Sequence, residues 1–212
     1  MSLIHIELFT TLDLVAQAPG GPEEDPDGFP FGGWQAPLLD ESSGAQIAAA
    51  YDGTDALLLG RRTYDIFAAY WPHVGDEEGG GFGALFNSIP KYVASRGAPD
   101  LSWEGSVLLG PDLPAAVREV RERHEHVHVV GSLDLVQTLL RERLYDRLDL
   151  LVHPIVLGVG KKVFDGGAVP TNLTLLEPPA AGEKGAVMLR YGLADGVPRT
   201  GDMSAPDLGL ES

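Results

Sequence analysis

Three short segments of this chain combine residue types suited to capturing an anion. Gly60-Arg61-Arg62-Thr63 follows one apolar run, and Gly131-Ser132-Leu133 follows another. In each, the glycine lets the backbone approach a phosphate, while the helix that follows offers free N–H groups and a partial positive charge. Ser95-Arg96 closes a third apolar run, and a hydroxyl beside a guanidinium suits a 2′-phosphate. Each segment alone also fits an ordinary tight strand-to-helix turn. Three at the same end of one sheet favour phosphate. The usual dinucleotide fingerprint, G-x-G-x-x-G directly after a strand, is absent, so a dinucleotide would be held in another mode.

Three other patterns resemble binding motifs and are read differently. His124-Glu125-His126-Val127-His128 fits H-E-x-x-H, which holds zinc when a helix puts i and i+4 on one face. Here Val127-His128-Val129-Val130 alternates as a strand, where four residues span roughly 13 Å. No separate third ligand is evident, and no metal is expected. Gly158-Val159-Gly160-Lys161-Lys162 lacks the first glycine and the final hydroxyl residue of a phosphate loop. It reads as a turn between edge strands, with Lys161 and Lys162 available to a substrate phosphate. The Glu23-Glu24-Asp25 run reads as solvated loop rather than metal site.

Alternating strands and helices must position these groups. Strands are predicted at residues 3–12, 56–60, 91–95, 106–109, 126–130 and 148–156, with two more near 172–177 and 186–193. Helices are predicted over 41–52, with Ser42 or Ser43 as candidate caps, from Arg61 through Phe67, over 113–124, and from Gly131-Ser132 through Leu140. Residues 16–37 form a long loop rich in proline and glycine, and a loop of that length inside a compact domain is functional or mobile. Residues 72–83 read as a second loop. The alternation up to residue 156 implies an α/β fold with a mainly parallel central sheet flanked by helices. The last strands lack intervening helices and should form an antiparallel C-terminal edge. One domain over residues 1–194 is expected, with a loosely held tail over 195–212.

Composition narrows the partners. With 31 acidic against 15 basic residues, the net charge of −16 repels nucleic acid, so an anionic ligand must be caught locally by a few arginines and backbone amides. The chain has no cysteine, which excludes disulfides and thiolate catalysis. No apolar run approaches the roughly 20 residues of a membrane span. The N-terminus lacks a basic segment followed by an uninterrupted apolar core, so no signal peptide is expected. Together these features predict a cytoplasmic protein with neither membrane nor nucleic-acid partner.

The segments Leu57-Leu58-Leu59-Gly60-Arg61-Arg62-Thr63-Tyr64, Pro90-Lys91-Tyr92-Val93-Ala94-Ser95-Arg96, Val130-Gly131-Ser132 and residues 152–161 together resemble the dihydrofolate reductase-like superfamily. The closest likeness is to its stand-alone bacterial branch, related to the C-terminal reductase domain of the bifunctional riboflavin-biosynthesis deaminase-reductase. The resemblance covers residues 3–194 and implies a dihydrofolate reductase-like fold and NADPH as cofactor. The cofactor's phosphates would lie on Gly60, Arg61, Arg62 and Thr63 and on Gly131, Ser132 and Leu133. Its 2′-phosphate would meet Ser95 and Arg96, and its nicotinamide Val15 and Ala16. It further implies an oxidoreductase that passes hydride to a small heterocycle, such as a ribosylaminopyrimidine of riboflavin biosynthesis, and a homodimer.

The chain departs from the superfamily at two places. Where dihydrofolate reductases have Trp-x-x-Pro-x-Asp, it reads Trp34-Gln35-Ala36-Pro37-Leu38-Leu39-Asp40, one residue out of step. Asp40 is therefore either a candidate catalytic acid or a helix cap. Where the riboflavin-type reductases favour Leu-Asp-Gly, it reads Leu12-Asp13-Leu14, which removes an easy positive-φ position beside the nicotinamide. Asp13 remains a second candidate catalytic group. Two alternatives stand beside the reductase reading: a dihydrofolate or pteridine reductase of the same fold, and a non-catalytic NADP-binding protein that kept the cofactor turns.

Overall fold

The computed structural model describes residues 2–75 and 80–204. Nine strands form one sheet: β1 (Leu3–Thr11), β2 (Ala56–Gly60), β3 (Lys91–Ala94), β4 (Ser106–Leu108), β5 (His126–Val129), β6 (Arg147–His153), β7 (Leu173–Leu175), β8 (Ala180–Ala181) and β9 (Val187–Leu193). The order is β4-β3-β2-β5-β1-β6-β9-β7, with β8 also on β9. The first six strands pair in parallel. β9 runs antiparallel to β6, β7 and β8, so the edge predicted for the C-terminal strands is present. The mainly parallel α/β fold is as the sequence predicts.

The helices are α1 (Glu41–Ala50), α2 (Arg61–Tyr70), α3 (Phe82–Ser88), α4 (Leu113–Arg123) and α5 (Leu133–Glu142). On the sheet face that carries Ile4, Ile6 and Leu8 of β1, the main core closes against Val117 and Val120 of α4 and Val136, Leu139 and Leu140 of α5. Alternation along β1 turns His5, Glu7 and Phe9 to the opposite face. There Tyr51, Tyr64, Phe86 and Trp103 form a second, aromatic cluster.

Several details differ from the sequence reading. α1 is capped by Asp40 rather than by Ser42 or Ser43, because the Asp40 carboxylate accepts from Ser43 N at 2.7 Å. Part of the loop expected over 72–83 is a 3-10 turn, Trp71–His73, and the chain re-enters helix at Phe82, where the sequence reading has a loop. The stretch 76–79 of that loop lies outside the described residues. β6 ends at His153, level with Thr11 at the end of β1 and three residues short of the predicted strand, and the Gly158–Lys162 segment is a loop whose Lys162 bridges to Val15 rather than a turn between edge strands. Of the tail expected beyond residue 194, positions 205–212 lie outside the described residues. The start of that tail is held by Asn172, whose amide donates to Asp195 O at 3.2 Å, and by Arg143, whose guanidinium donates to Gly196 O at 3.5 Å. Among the described residues, no helix is long and apolar enough to cross a membrane.

Candidate active site

Ligands of open parallel sheets bind beyond the carboxyl ends of the strands. At that edge β2 and β5 are neighbours, and each ends in a glycine-containing turn. The two turns pack directly together. Gly60 N–H donates to Gly131 O at 2.9 Å, and a Cβ on Gly60 would lie 2.1 Å from Ser132 Oγ and 2.7 Å from Ser132 N. Gly131 has a φ of +146°, and a Cβ there would meet Thr63 Oγ1 at 2.7 Å. Glycine at both positions brings the first turns of α2 and α5 side by side.

The capping pattern shows what these helix starts lack. α1 and α4 are capped by the side chains of Asp40 and Asp112. α2 and α5 begin at Gly60 and Ser132 with no side-chain cap, so their first N–H groups have no partner from that source. An anionic phosphate is the ligand such paired, uncapped N-termini favour. Arg61 and Arg62 stand at the same place in exposed ion pairs with Asp65 and Asp27, each at 3.0 Å. Such solvent-exposed pairs contribute little and can exchange for a phosphate.

Two cavities meet at these turns. An open groove of about 800 Å³ runs past Gly60, Arg61 and Arg62 to Ser95 and Arg96. The other cavity, about 340 Å³, is walled by aromatic side chains, among them Tyr51, Phe67, Trp71, Phe82 and Phe86. Both are lined by Arg62, Ser132 and Asp134, so one continuous cleft joins the basic end to the aromatic end. The expected cofactor residues are divided between them. Ala16, Arg62, Thr63, Ser132 and Leu133 line the aromatic cavity, and Ser95 and Arg96 stand at the far end of the groove. Val15 lies fully buried behind Ala16. The residues present thus offer a dinucleotide two uncapped helix N-termini for its phosphates, arginine at one end, and aromatic surface at the other.

The loop over 16–37 forms one wall of the cavity through Gln17, Ala18, Pro19 and Glu24. It is pinned rather than loose: Trp34 Nε1–H donates to Gln17 O at 2.9 Å, and Lys161 N–H donates to Gln17 Oε1 at 2.8 Å. Glu24, expected to be solvated, folds back to accept from Gly20 N at 2.6 Å and Gly21 N at 3.1 Å. Lys161 lines the cavity, whereas Lys162 turns to Asp13 at 3.7 Å.

The two aspartates singled out as candidate catalytic groups lie outside the cavity lining. The Asp13 carboxylate accepts from the Thr11 hydroxyl at 2.6 Å, Leu157 N at 3.2 Å and Gly158 N at 3.0 Å. These bonds, led by the Thr11 hydroxyl, hold its pKa down at about 2, so it is a fixed anion that ties the end of β1 to the loop after β6. Asp40, besides capping α1, accepts from Lys184 N at 2.7 Å. Leu14, which stands where a glycine would be easy, nevertheless adopts φ +64°. The left-handed turn is kept despite the side chain, which costs of order 1 kcal/mol.

The sequence reading missed Glu7. It lies on β1 at the cavity floor and is 2% exposed, and burial pushes its carboxyl up to about 8. At neutral pH it therefore carries a proton, the state a general acid needs. Its Oε2 is 3.1 Å from His128 Nε2, and its Oε1 has no protein partner. The available signal was a glutamate inside the apolar run Leu3-Ile4-His5-Ile6-Glu7-Leu8, where a charge on a buried strand calls for a reason.

A mainly parallel sheet with an antiparallel C-terminal edge and a cleft at the carboxyl ends of its strands is the architecture of a dihydrofolate reductase-like α/β protein. The family model of the RibD C-terminal domain matches residues 3–185, and the chain belongs to that family. A protein of Bacillus subtilis (strain 168), YyaP, is 27% identical over 112 residues, which is 52% of this chain and 59% of that relative, so the match spans less than two thirds of its length. Among solved structures, a riboflavin biosynthesis protein from Shewanella sp. PV-4 superposes with a TM-score of 0.70 at 16% identity, covering 91% of this chain and 99% of that one. A pyrimidine reductase-like protein from Corynebacterium diphtheriae gives 0.63 at 16% identity, covering 92% and 93%. At these identities the superpositions establish the fold.

Proposed function

We propose that this protein is an NADPH-dependent reductase that delivers hydride to a small nitrogen heterocycle, of the type of the phosphoribosylaminopyrimidine reduced in riboflavin biosynthesis. The observation that carries this reading is the continuous cleft with two uncapped helix starts at its centre, a basic end at Ser95 and Arg96, and an aromatic cavity at the other end. When bound, NADPH supplies the hydride, and the protein supplies orientation and a proton. The N–H groups of the first turns of α2 and α5 would hold the diphosphate, Arg96 the 2′-phosphate, and Ala16 one face of the nicotinamide. The aromatic walls would stack a flat heterocycle and exclude water, and Lys161 would meet a phosphate on the substrate. Glu7 is the proton donor in this reading.

The working form is proposed to be a cytoplasmic homodimer, which light scattering would test. The direct test of function is titration with NADPH and NADH, followed by quenching of tryptophan fluorescence, since Trp71 lines the cavity. Tight NADPH-preferring binding supports the reading, and a screen of aminopyrimidines and pteridines then identifies the substrate. Binding of NADPH with no turnover of any heterocycle would favour the non-catalytic alternative, which the placement of Asp13 and Asp40 outside the cavity lining supports. Absence of binding to either nucleotide would overturn both.

A further inference from the structure

Below the floor of the cleft, the sheet holds a histidine cluster that the reductase reading does not use. The parallel register pairs His5 of β1 with His128 of β5, and His126 lies two residues earlier on the same face of β5. One ring nitrogen from each of the three lies within 4.8 Å of the others. The pair of the H-E-x-x-H motif does not form, because His124 turns away to the Tyr92 hydroxyl at 2.8 Å and to Asp55. The third ligand absent from the local sequence is His5, brought alongside from the first strand.

The other nitrogen of His126 and of His128 meets an acceptor at hydrogen-bond distance, and that of His5 faces the Asp149 carboxylate as an ion-pair contact without hydrogen-bond geometry. His5 Nε2 lies 3.2 Å from Asp149 Oδ2, His126 Nδ1 lies 3.0 Å from Asp52 O, and His128 Nε2 lies 3.1 Å from Glu7 Oε2. A backbone carbonyl can only accept, and Asp149 is held as an anion by two 2.8 Å hydrogen bonds from Arg147. A neutral imidazole has one N–H and one lone pair. Directing the N–H outward leaves lone pairs on His5 Nδ1, His126 Nε2 and His128 Nδ1. Two of these face each other at 3.3 Å, and the third has no protein partner although its side chain is fully buried. A cation between them removes the conflict. Metal-bonded nitrogens at about 2.0–2.1 Å in tetrahedral geometry stand about 3.3 Å apart, the separation found here for the first pair.

We propose that His5, His126 and His128 form a binding site for a divalent transition ion of the zinc type, reached from a surface groove beside Ser2, Leu3 and Gly53 that is separate from the active-site cleft. Imidazole nitrogen selects ions of this class over calcium or magnesium. Acceptors behind each ring, as Asp149, Asp52 and Glu7 are here, are the usual supports of metal-ligating histidines. Tyr51 stacks on His128 at 3.8 Å and fixes that ring. His126 is half-buried and lines that groove, which gives an ion its way in. The strongly acidic surface favours its approach.

Cobalt(II) titration of the purified, chelator-stripped protein tests the site without reference to any activity. One equivalent should bind and develop the visible bands of tetrahedral cobalt, and zinc should displace it. His126→Ala removes the half-buried ligand and should weaken binding by more than the roughly 10–100-fold that loss of a supporting partner costs. His124→Ala should bind as the parent does. Failure of the parent to take up cobalt or zinc overturns the proposal whether or not the variants fold. Bands that survive in a folded His126→Ala protein, or vanish in His124→Ala, also overturn it.

Discussion

Gly60→Ala is the smallest change that separates the two turns of the cleft. The backbone at Gly60, φ −72° and ψ 152°, is open to any residue, so torsional strain plays no part. The obstacle is contact alone: the added methyl would lie 2.1 Å from Ser132 Oγ, 2.8 Å from its Cβ and 2.7 Å from its backbone N. Rotating the hydroxyl clears the first contact but not the other two, so the N-terminus of α5 must move or the 2.9 Å bond from Gly60 N to Gly131 O must stretch. Overpacking of this kind costs about 1–3 kcal/mol, and a backbone contact places it at the upper end. For a chain of this length, about 2–3 kcal/mol lowers the melting temperature by roughly 4–12 °C. Because the same movement pulls apart the two sets of helix N–H groups, NADPH affinity should fall with it. Thermal melting and nucleotide titration of Gly60→Ala, with Gly201→Ala as a control in open space away from the cleft, measure both effects. If Gly60→Ala melts and binds NADPH as the parent does, the close packing of the turns does not position the site.

Arg96→Ala should weaken NADPH roughly 10–100-fold, the worth of about 1.5–3 kcal/mol for hydrogen bonds to a charged group, while leaving NADH nearly unchanged. Equal losses for both nucleotides would remove Arg96 from the 2′-phosphate. Glu7→Gln should lower turnover by at least about 100-fold with NADPH binding retained, as loss of a general acid requires; undiminished turnover would show that the proton comes from elsewhere. Asp13→Ala should destabilise the fold by about 2 kcal/mol, because it leaves the partly buried Thr11 hydroxyl and Leu157 N–H unpaired. The pH dependence follows from the sign of the Asp13 shift. Its folded pKa of about 2 lies below the ordinary 3.8, so its stabilisation is complete above about pH 4 and is lost as pH falls towards 2. Chemical denaturation should show Asp13→Ala closer to the parent at pH 2 than at pH 6, and a constant difference would refute that account.

The fold was legible because its local patterns agree with one another. Ala56-Leu57-Leu58-Leu59 reads as a doubly buried strand and is fully buried, and Val117 and Val120 of α4 pack as the helical period predicts. α3 was not legible, because it has only seven residues and begins just after consecutive glycines, which read as loop. At the site, the turns could be read locally, since strand, glycine, hydroxyl and helix follow one another along the chain. The roles of Asp13 and Asp40 could not, since whether Asp13 faces a substrate or the N–H groups of Leu157 and Gly158 depends on a loop 144 residues away. His5 and His128 are likewise 123 positions apart in sequence, a separation fixed by their numbering, and only the register of β1 on β5 brings them together.

The two faces of the sheet divide the work of the protein. On the α4 and α5 side the packed residues are apolar, and burial there stabilises the fold at about 25 cal/mol per Å². On the other side His5, Glu7, His128, Asp149 and Lys91 are all buried, with Glu7 Oε1 and His128 Nδ1 left without protein partners. Buried polar atoms without partners lower stability, and these two lie on either side of the contact between Glu7 and His128. The Glu7 carboxyl touches both the cavity floor and His128, and Tyr51 both lines the cavity and stacks on the same ring. The proposed hydride-transfer cavity and the proposed metal site therefore share two side chains. An ion that fixes the His128 ring also fixes the orientation of the carboxyl beside it, and structural support for the proton donor would pass through that contact.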